Sequence, residues 1–401
     1  MTIKNLIIVT ICFIIIIALA ISNTGCTSAP PAPVTTPTPT IAPTSGLLPA
    51  ISKIAAGGSH GLAVGADTKV YTWGHNDYGQ LGLGDTATRY AAKEITGLSN
   101  ITAIAGGLEH SLAVTSAGAV YAWGRNNGAQ LGDNSNIDRH SPVLISFTGP
   151  PVIIAVAAGE QHSLALDNSG FVWVWGANNY GQLGTGDNTE RKTPVKLSSL
   201  YGISAIAANS NYSLALKSDG TVWAWGRNDH GQLGNDSKSD SNIPVQVGGI
   251  SYNNVTKIAA GWFHAMAQKI DGSIWTWGWN DYGQLGTGDN SESLLPTQLT
   301  TGITNNLAAG WHHCIASLAG AVKVWGINTN GYLGVSPTPS CNTPTSITGL
   351  NGLTINAVAG GGGFCIALQN DGTVWTWGPS VTGNPDNTSS KVPVKVSLQT
   401  N

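Results

Sequence analysis

The chain has 401 residues, 41% of them hydrophobic, 10% charged and 52 of them glycine. Eighteen basic against 21 acidic side chains leave a net charge of −3, so there is no basic field to hold nucleic acid or an anionic membrane face. So little charge with so many β-formers excludes a disordered or coiled-coil chain and fits an all-β protein surfaced by Ser, Thr, Asn and Gly.

Lys4 precedes an almost unbroken apolar run from Leu6 to Ile21, and small residues then lead to Gly25-Cys26. This is the layout of an export signal, and the run is shorter than the roughly 20 residues a spanning helix needs. Cysteine after glycine at this point resembles the lipobox of prokaryotic lipoproteins, which implies acylation of Cys26 and cleavage just before it. Asn23 stands where that pattern takes an aliphatic residue. An uncleaved anchor and ordinary secretion are the alternatives. All three place the rest of the chain outside the cytoplasm, membrane-anchored at the cell surface or secreted. Residues 27–50 are dominated by Pro, Thr, Ala and Ser, a composition that buries nothing and favours extended conformations. They form a stalk between the signal (residues 1–26) and a folded part (residues 51–401).

A Trp-Gly pair recurs at Trp73, Trp123, Trp175, Trp225, Trp277, Trp325 and Trp377, at intervals of 48 to 52 residues by subtraction. Self-similarity at such a period marks a propeller, solenoid or array. Helical repeats are excluded because each unit consists of short apolar runs punctuated by glycine. In the fourth unit, Ile203 to Ala208 reads as a small-sided strand A and Tyr212 to Leu216 as strand B. Asp219-Gly220 reads as a two-residue hairpin, Thr221 to Trp225 as strand C, and Ile243 to Val247 as strand D. Proline at or near the start of strand D in six units puts that strand on an outer edge. Small residues in strand A suit crowding around an axis. The expected fold is all-β: a seven-bladed β-propeller with four antiparallel strands per blade.

The pattern Gly-x-x-His-Ser-Leu-Ala-Leu, then Asp-Gly-Thr-Val-Trp-x-Trp-Gly, then Asn-x-x-Gly-Gln-Leu-Gly resembles the regulator of chromosome condensation repeat. It runs from about Ile51 to Val396 and departs only after Gly378, where Pro379 to Gly383 replaces the Gln-Leu-Gly loop. The resemblance implies the propeller fold. Its best-known activity, guanine-nucleotide exchange on a small GTPase, is the alternative to a binding role. Export separates the chain from cytosolic GTPases.

His60, His110, His162, His264 and His313 occupy one repeat position, which Tyr212 and Phe364 fill in the other units. A position that accepts phenol or phenyl is a packing position, and one residue per blade does not gather a metal's ligands. Asp85, Asp133, Asp187 and Asp289 supply one carboxylate per loop, whereas calcium takes six to eight oxygens, so Asx-turns account for them. Neither a metal nor a cofactor is expected. Cys314 and Cys365 share the strand B position of Ser111, Ser163 and Ser213, which marks small buried side chains. A disulfide from Cys341 to either is left open.

One feature departs from the repeat. In a meandering blade the A–B and C–D loops emerge on the same face. The residues before the histidine column there are Trp262-Phe263 in the fifth unit and Trp311-His312 in the sixth, and the C–D loop of the fifth adds Trp279 and Tyr282. Contiguous aromatic side chains mark an interaction site or a cap over two blades. The Gly-Trp-x-His sequence at Gly261 and Gly310 is similar to the tryptophan motif of the plant ultraviolet-B photoreceptor branch of this family. That branch needs an arginine where Phe263 and His312 stand, which argues against light sensing. The expectation is a non-enzymatic extracytoplasmic binding scaffold that recognises a protein or glycan ligand through Trp262, Phe263, Trp279, Tyr282, Trp311 and His312. It touches the membrane through its N-terminus alone.

Overall fold

The computed structural model describes residues 48–149, 151–250, 254–299, 304–318, 321–335, 338–379, 383 and 390–398. The export signal with Cys26, the stalk up to residue 47 and most of the seventh unit's departing loop lie outside them. Among the described residues, twenty-eight strands form seven separate four-stranded sheets, each in chain order. Neighbouring strands within a sheet are antiparallel, as in blade four. Each sequence unit therefore builds one blade, and the expected propeller is the fold.

Blade four shows how the sequence sets the local structure. Strand A is Ile203–Asn209, B is Tyr212–Lys217, C is Val222–Gly226 and D is Ser241–Gln246. The B–C hairpin has three loop residues rather than the expected two. Lys217 N–H donates to the Thr221 carbonyl, Gly220 N–H donates to the Lys217 carbonyl, and Gly220 takes φ +83°. That is a turn closed by a left-handed glycine, and Asp219 fixes it by accepting the Thr221 amide at 2.9 Å.

The seven tryptophans that precede glycine are fully buried, and each packs against the preceding blade. Trp175 lies among Leu112 and Val120 of blade two, and Trp277 among Leu214 and Val222 of blade four. Trp73 lies among Ile366 and Val374 of blade seven, so the interface that closes the ring is built like the others. The indole N–H groups of Trp123, Trp175, Trp277 and Trp325 donate to the carbonyls of Gln80, Gln130, Gln232 and Gln284 at 2.9–3.0 Å. Each bond again reaches the blade before.

The outer edge carries a second closing device. Pro142, Pro194, Pro244, Pro296, Pro344 and Pro393 lie at the fourth or fifth residue of their D strands, further in than the place at or near the start that the sequence suggested. An edge strand tolerates them because its outward amides have no partner to lose. Blade one has Ala92 in this place, within Arg89–Glu94. Its amide is used: Ala92 N–H donates to the Ser397 carbonyl at 2.8 Å, and Ala92 and Leu398 form a parallel bridge. The C-terminal segment thus crosses from blade seven to the edge of blade one. Replacing Ala92 by proline removes that donor and is expected to cost about 1–2 kcal/mol. The loss should be matched by truncation after Val396 and should not add to it, as read from thermal unfolding of the two single variants and the combination.

Candidate functional site

The A–B loops are tied into a belt around the axis. Gly58 N–H donates to Gly107 O, Leu108 to Gly159, Glu160 to Ser210, Trp262 to Trp311, Trp311 to Gly361, and Gly362 back to Gly58, at 2.7–3.3 Å. Six of these loops start with glycine (Gly57, Gly107, Gly159, Gly261, Gly310 and Gly361), because a Cβ there would sit 2.1–2.2 Å from the ring three residues on. Blade four instead has Asn209 followed by Ser210 at φ +40°. Its Nδ2 donates to Ala260 O at 3.1 Å, which supplies the link to blade five from a side chain.

Directly below the belt is the histidine column. His60, His110, His162, His264 and His313 are fully buried. The Nε2 atoms of His60, His110 and His162 meet the Oγ atoms of Ser111, Ser163 and Ser213 in the next blade at 2.8–2.9 Å. Each of those hydroxyls donates onward to a glutamine carbonyl, Gln80, Gln130 or Gln182. The serine oxygen is therefore the acceptor and Nε2 carries the hydrogen. Burial lowers the pKa of His60, His110, His162 and His264 from 6.5 to about 3, and that of His313 to about 4. His60, His110 and His162 thus latch each blade to the next through neutral rings, and His264 and His313 are neutral members of the same column.

Of the two cysteines at the serine position, Cys314 enters the same latch. Cys314 and Cys365 are free and buried, so neither bridges Cys341. Cys314 Sγ lies 3.1 Å from His264 Nε2 and 3.3 Å from Gln284 O, in the serine's place. The loop aspartates are equally committed. Asp85 accepts the Ala87 amide at 3.0 Å and pairs with Arg89, and Asp187 accepts Thr189 at 3.0 Å and pairs with Arg191. These are Asx-turns with their oxygens in use.

In blades one to six the C–D loop is organised by one buried asparagine. In blade five, Asn280 Oδ1 accepts the Leu285 amide at 2.8 Å, and its Nδ2 donates to Ser291 O at 2.9 Å and Asp289 O at 3.2 Å. That loop carries Trp279 and Tyr282, and Trp279 N–H donates to Phe263 O at 2.9 Å. The A–B and C–D loops of blade five are thereby fastened side by side.

All six rings singled out from the sequence come together on this face. Trp262 lies 4.5 Å from Trp311 between ring centroids and 6.0 Å from Phe263. Phe263 meets Trp279 edge-on at 5.8 Å. Trp279 meets His312 at 5.1 Å and Tyr282 at 5.3 Å, and Tyr282 meets His312 at 5.6 Å. Five of the six are half-buried and Tyr282 is 38% exposed. The rings thus pack against one another and still present an outer surface. Burial holds the His312 pKa down to about 4, with a hydrogen bond to the Trp311 backbone carbonyl opposing, so this ring is neutral as well. Gly362 is bare for a reason: a Cβ there would lie 2.7 Å from the Trp311 ring.

Sequence reasoning missed two members. His230 of blade four lies 5.1 Å from Phe263 and 5.3 Å from Trp279. Its signal was its alignment with Tyr78, Tyr180 and Tyr282, one residue before glycine in the C–D loop. Arg227 lies over Phe263 at 4.9 Å and over Tyr180 at 5.0 Å, so the patch continues to blade three.

An RCC1-like domain profile matches residues 146–401, and the regulator of chromosome condensation (RCC1) repeat profile matches residues 67–114 and 117–166. The chain is 30% identical to the ultraviolet-B receptor UVR8 of Arabidopsis thaliana over 251 residues, 62% of this chain and 46% of the receptor. It is 34% identical to the human E3 ubiquitin-protein ligase HERC2 over 254 residues, 61% of this chain and 5% of the ligase. The match therefore spans less than half the length of these curated relatives. Among solved structures, Prp20p of Saccharomyces cerevisiae superposes with a TM-score of 0.72 at 26% identity, covering 79% of this chain and 82% of that one. Human WBSCR16 superposes at 0.75 with 24% identity, covering 82% and 95%, a likeness of fold.

Proposed function

The chain belongs to the RCC1-repeat propeller family, and on that premise we propose that it is a non-enzymatic, extracytoplasmic binding scaffold. It is tethered to the membrane through its N-terminus and presents the rim of blades five and six to a protein or glycan. The observation that carries this reading is the unbroken chain of rings from Trp311 to Tyr282, fixed by backbone bonds between its loops. Aromatic side chains give a large contact area with few rotors to freeze, and a rigid frame removes the cost of ordering them.

The ionisable groups nearby favour binding over catalysis. The Cys314–His264 contact has the geometry of a nucleophile with its base. Burial pushes that thiol well up and that imidazole down to about 3, the reverse of a reactive thiolate–imidazolium pair. Glu109 and Asp229 on the face are occupied by Arg125 and Arg227. Guanine-nucleotide exchange is the second reading, favoured by the likeness to Prp20p, whose structure was studied with its binding to Gsp1p and histones. A chain recovered from the cytosol on fractionation would favour it.

The test is a binding screen of the full chain against glycans and cell-surface proteins, repeated with Trp262→Ala and Trp311→Ala. Each substitution should weaken the captured ligand by roughly 30-fold or more, the size of a hot-spot loss, with near-ultraviolet circular dichroism showing an intact fold. Undiminished binding by both folded variants would refute the rim.

A further inference from the structure

Asparagine followed two residues on by serine or threonine, with no proline between, occurs at Asn100, Asn211, Asn235, Asn254 and Asn387. In an exported chain this is the acceptor pattern for N-linked glycans, which sit on surface loops. Asn387 lies outside the described residues. The structure divides the other four into two kinds.

Asn211 and Asn235 are committed to the rim face. Asn211 Nδ2 donates to Glu160 Oε2 at 3.0 Å, and its hydroxyl partner Ser213 is fully buried in the latch. Asn235 Oδ1 accepts Asn228 Nδ2 at 3.2 Å inside a C–D loop. Asn100 and Asn254 stand instead at one repeat position, just before strand A of blades two and five, Ile101–Gly106 and Val255–Ala260. Both are exposed, and neither side-chain amide makes a hydrogen bond among the described residues. Their backbones are pinned: the Asn100 carbonyl accepts Ser116 N–H and the Asn254 carbonyl accepts Ile270 N–H, each at 2.8 Å. Ser116 and Ile270 belong to B–C hairpins, so both asparagines lie on the face opposite the rim.

Each half of the pattern also has a local use. Asn100 and Asn254 take φ of +59° and +102°, as Gly202 takes +70° at the same place in blade four. Thr102 and Thr256 hydroxyls donate to the Val114 and Gln268 carbonyls at 3.3 Å, as Ser204 does to Leu216 at 3.1 Å. Blade four meets both needs with glycine and serine and offers no acceptor. Blades two and five meet them with an asparagine whose amide is left free and outward.

We propose that Asn100 and Asn254 are N-glycosylation sites. The co-substrate is an oligosaccharide carried on a polyprenyl phosphate or pyrophosphate. Asn Nδ2 bonds to C1 of the first sugar, the bond from C1 to the phosphate oxygen breaks, and the proton lost from Nδ2 leaves with the lipid phosphate. The proposal rests on the reading of the chain as exported, and it adds a modification on the face that the ligand does not use. Glycans there cover the loops that join one blade to the next and leave the rim bare.

The experiment fractionates the cells that make the full chain and maps its proteolytic peptides by mass spectrometry. Peptides with Asn100 and Asn254 should be heavier by a glycan and release sugar oxonium ions, while those with Asn211 and Asn235 keep their plain masses. Thr102→Ala should lose the increment at Asn100, and Thr102→Ser should keep it, because serine preserves the hydroxyl that the pattern requires. Plain masses at both Asn100 and Asn254 in a chain taken from the membrane or the medium would overturn the proposal and leave the export reading standing. An increment that survives Thr102→Ala would also overturn it. A chain found in the cytosol would overturn the export reading and the proposal together.

Discussion

The propeller is expected to unfold cooperatively as pH falls from 6.5 towards 4. His60, His110, His162 and His264 have a folded pKa of about 3 and His313 about 4, all held down by burial. In the unfolded chain they return to about 6.5. Below that value the unfolded state binds protons that the folded state refuses, so stability is full above pH 6.5 and drains as pH drops. Each ring withdraws about 1.4 kcal/mol per pH unit. By pH 4.5 the sum over the column is on the order of 10 kcal/mol, comparable with the whole stability of a typical domain. Urea unfolding at a series of pH values measures the slope. His162→Phe, which copies Phe364, should make that slope shallower by one proton. A midpoint that stays constant from pH 7 to 4 would refute the latch of neutral rings.

Asn280→Ala is expected to remove ligand binding and about 2–4 kcal/mol of stability together. Its side chain satisfies the buried Leu285 amide and two carbonyls of the loop that carries Trp279 and Tyr282. Truncation leaves those groups unpaired, at about 1–3 kcal/mol for each one that stays dry. Asn126 makes the same bonds in blade two, to the Leu131 amide at 2.9 Å and to Ser135 O and Ile137 O at 3.1 Å. Asn126→Ala should therefore cost similar stability and leave rim binding unchanged at a temperature where both variants are folded. The pair separates a loop's structural work from its place in the site. Equal loss of ligand by both variants would put the binding surface elsewhere.

The sevenfold Trp-Gly recurrence made the propeller legible because each tryptophan does one job, filling the groove of the blade before it. The histidine column was legible as packing because Tyr212 and Phe364 share it. Its serine partners were hidden, since a bond from one unit to the next leaves no mark within a unit. The closing segment left a mark that only the structure explains: Ala92 is the one D-strand position without proline, and its amide is the one taken by Ser397. The hairpin was misread by one residue because Asp-Gly fits a two-residue turn and a three-residue turn with a left-handed glycine equally well. The six rim residues were found because they break the repeat in two neighbouring units. His230 escaped because it breaks the repeat in a third, with a ring less conspicuous than tryptophan.

Oxidative footprinting with the captured ligand tests the binding face most directly. Tyr201, 63% exposed and beside Lys217 of a B–C hairpin at 5.1 Å, marks the opposite side of the disc. With ligand bound, labelling should fall at Trp262, Trp279, Tyr282 and Trp311 and stay constant at Tyr201. Protection of Tyr201 with the four rim residues still labelled would place the ligand on the other face and contradict the assignment.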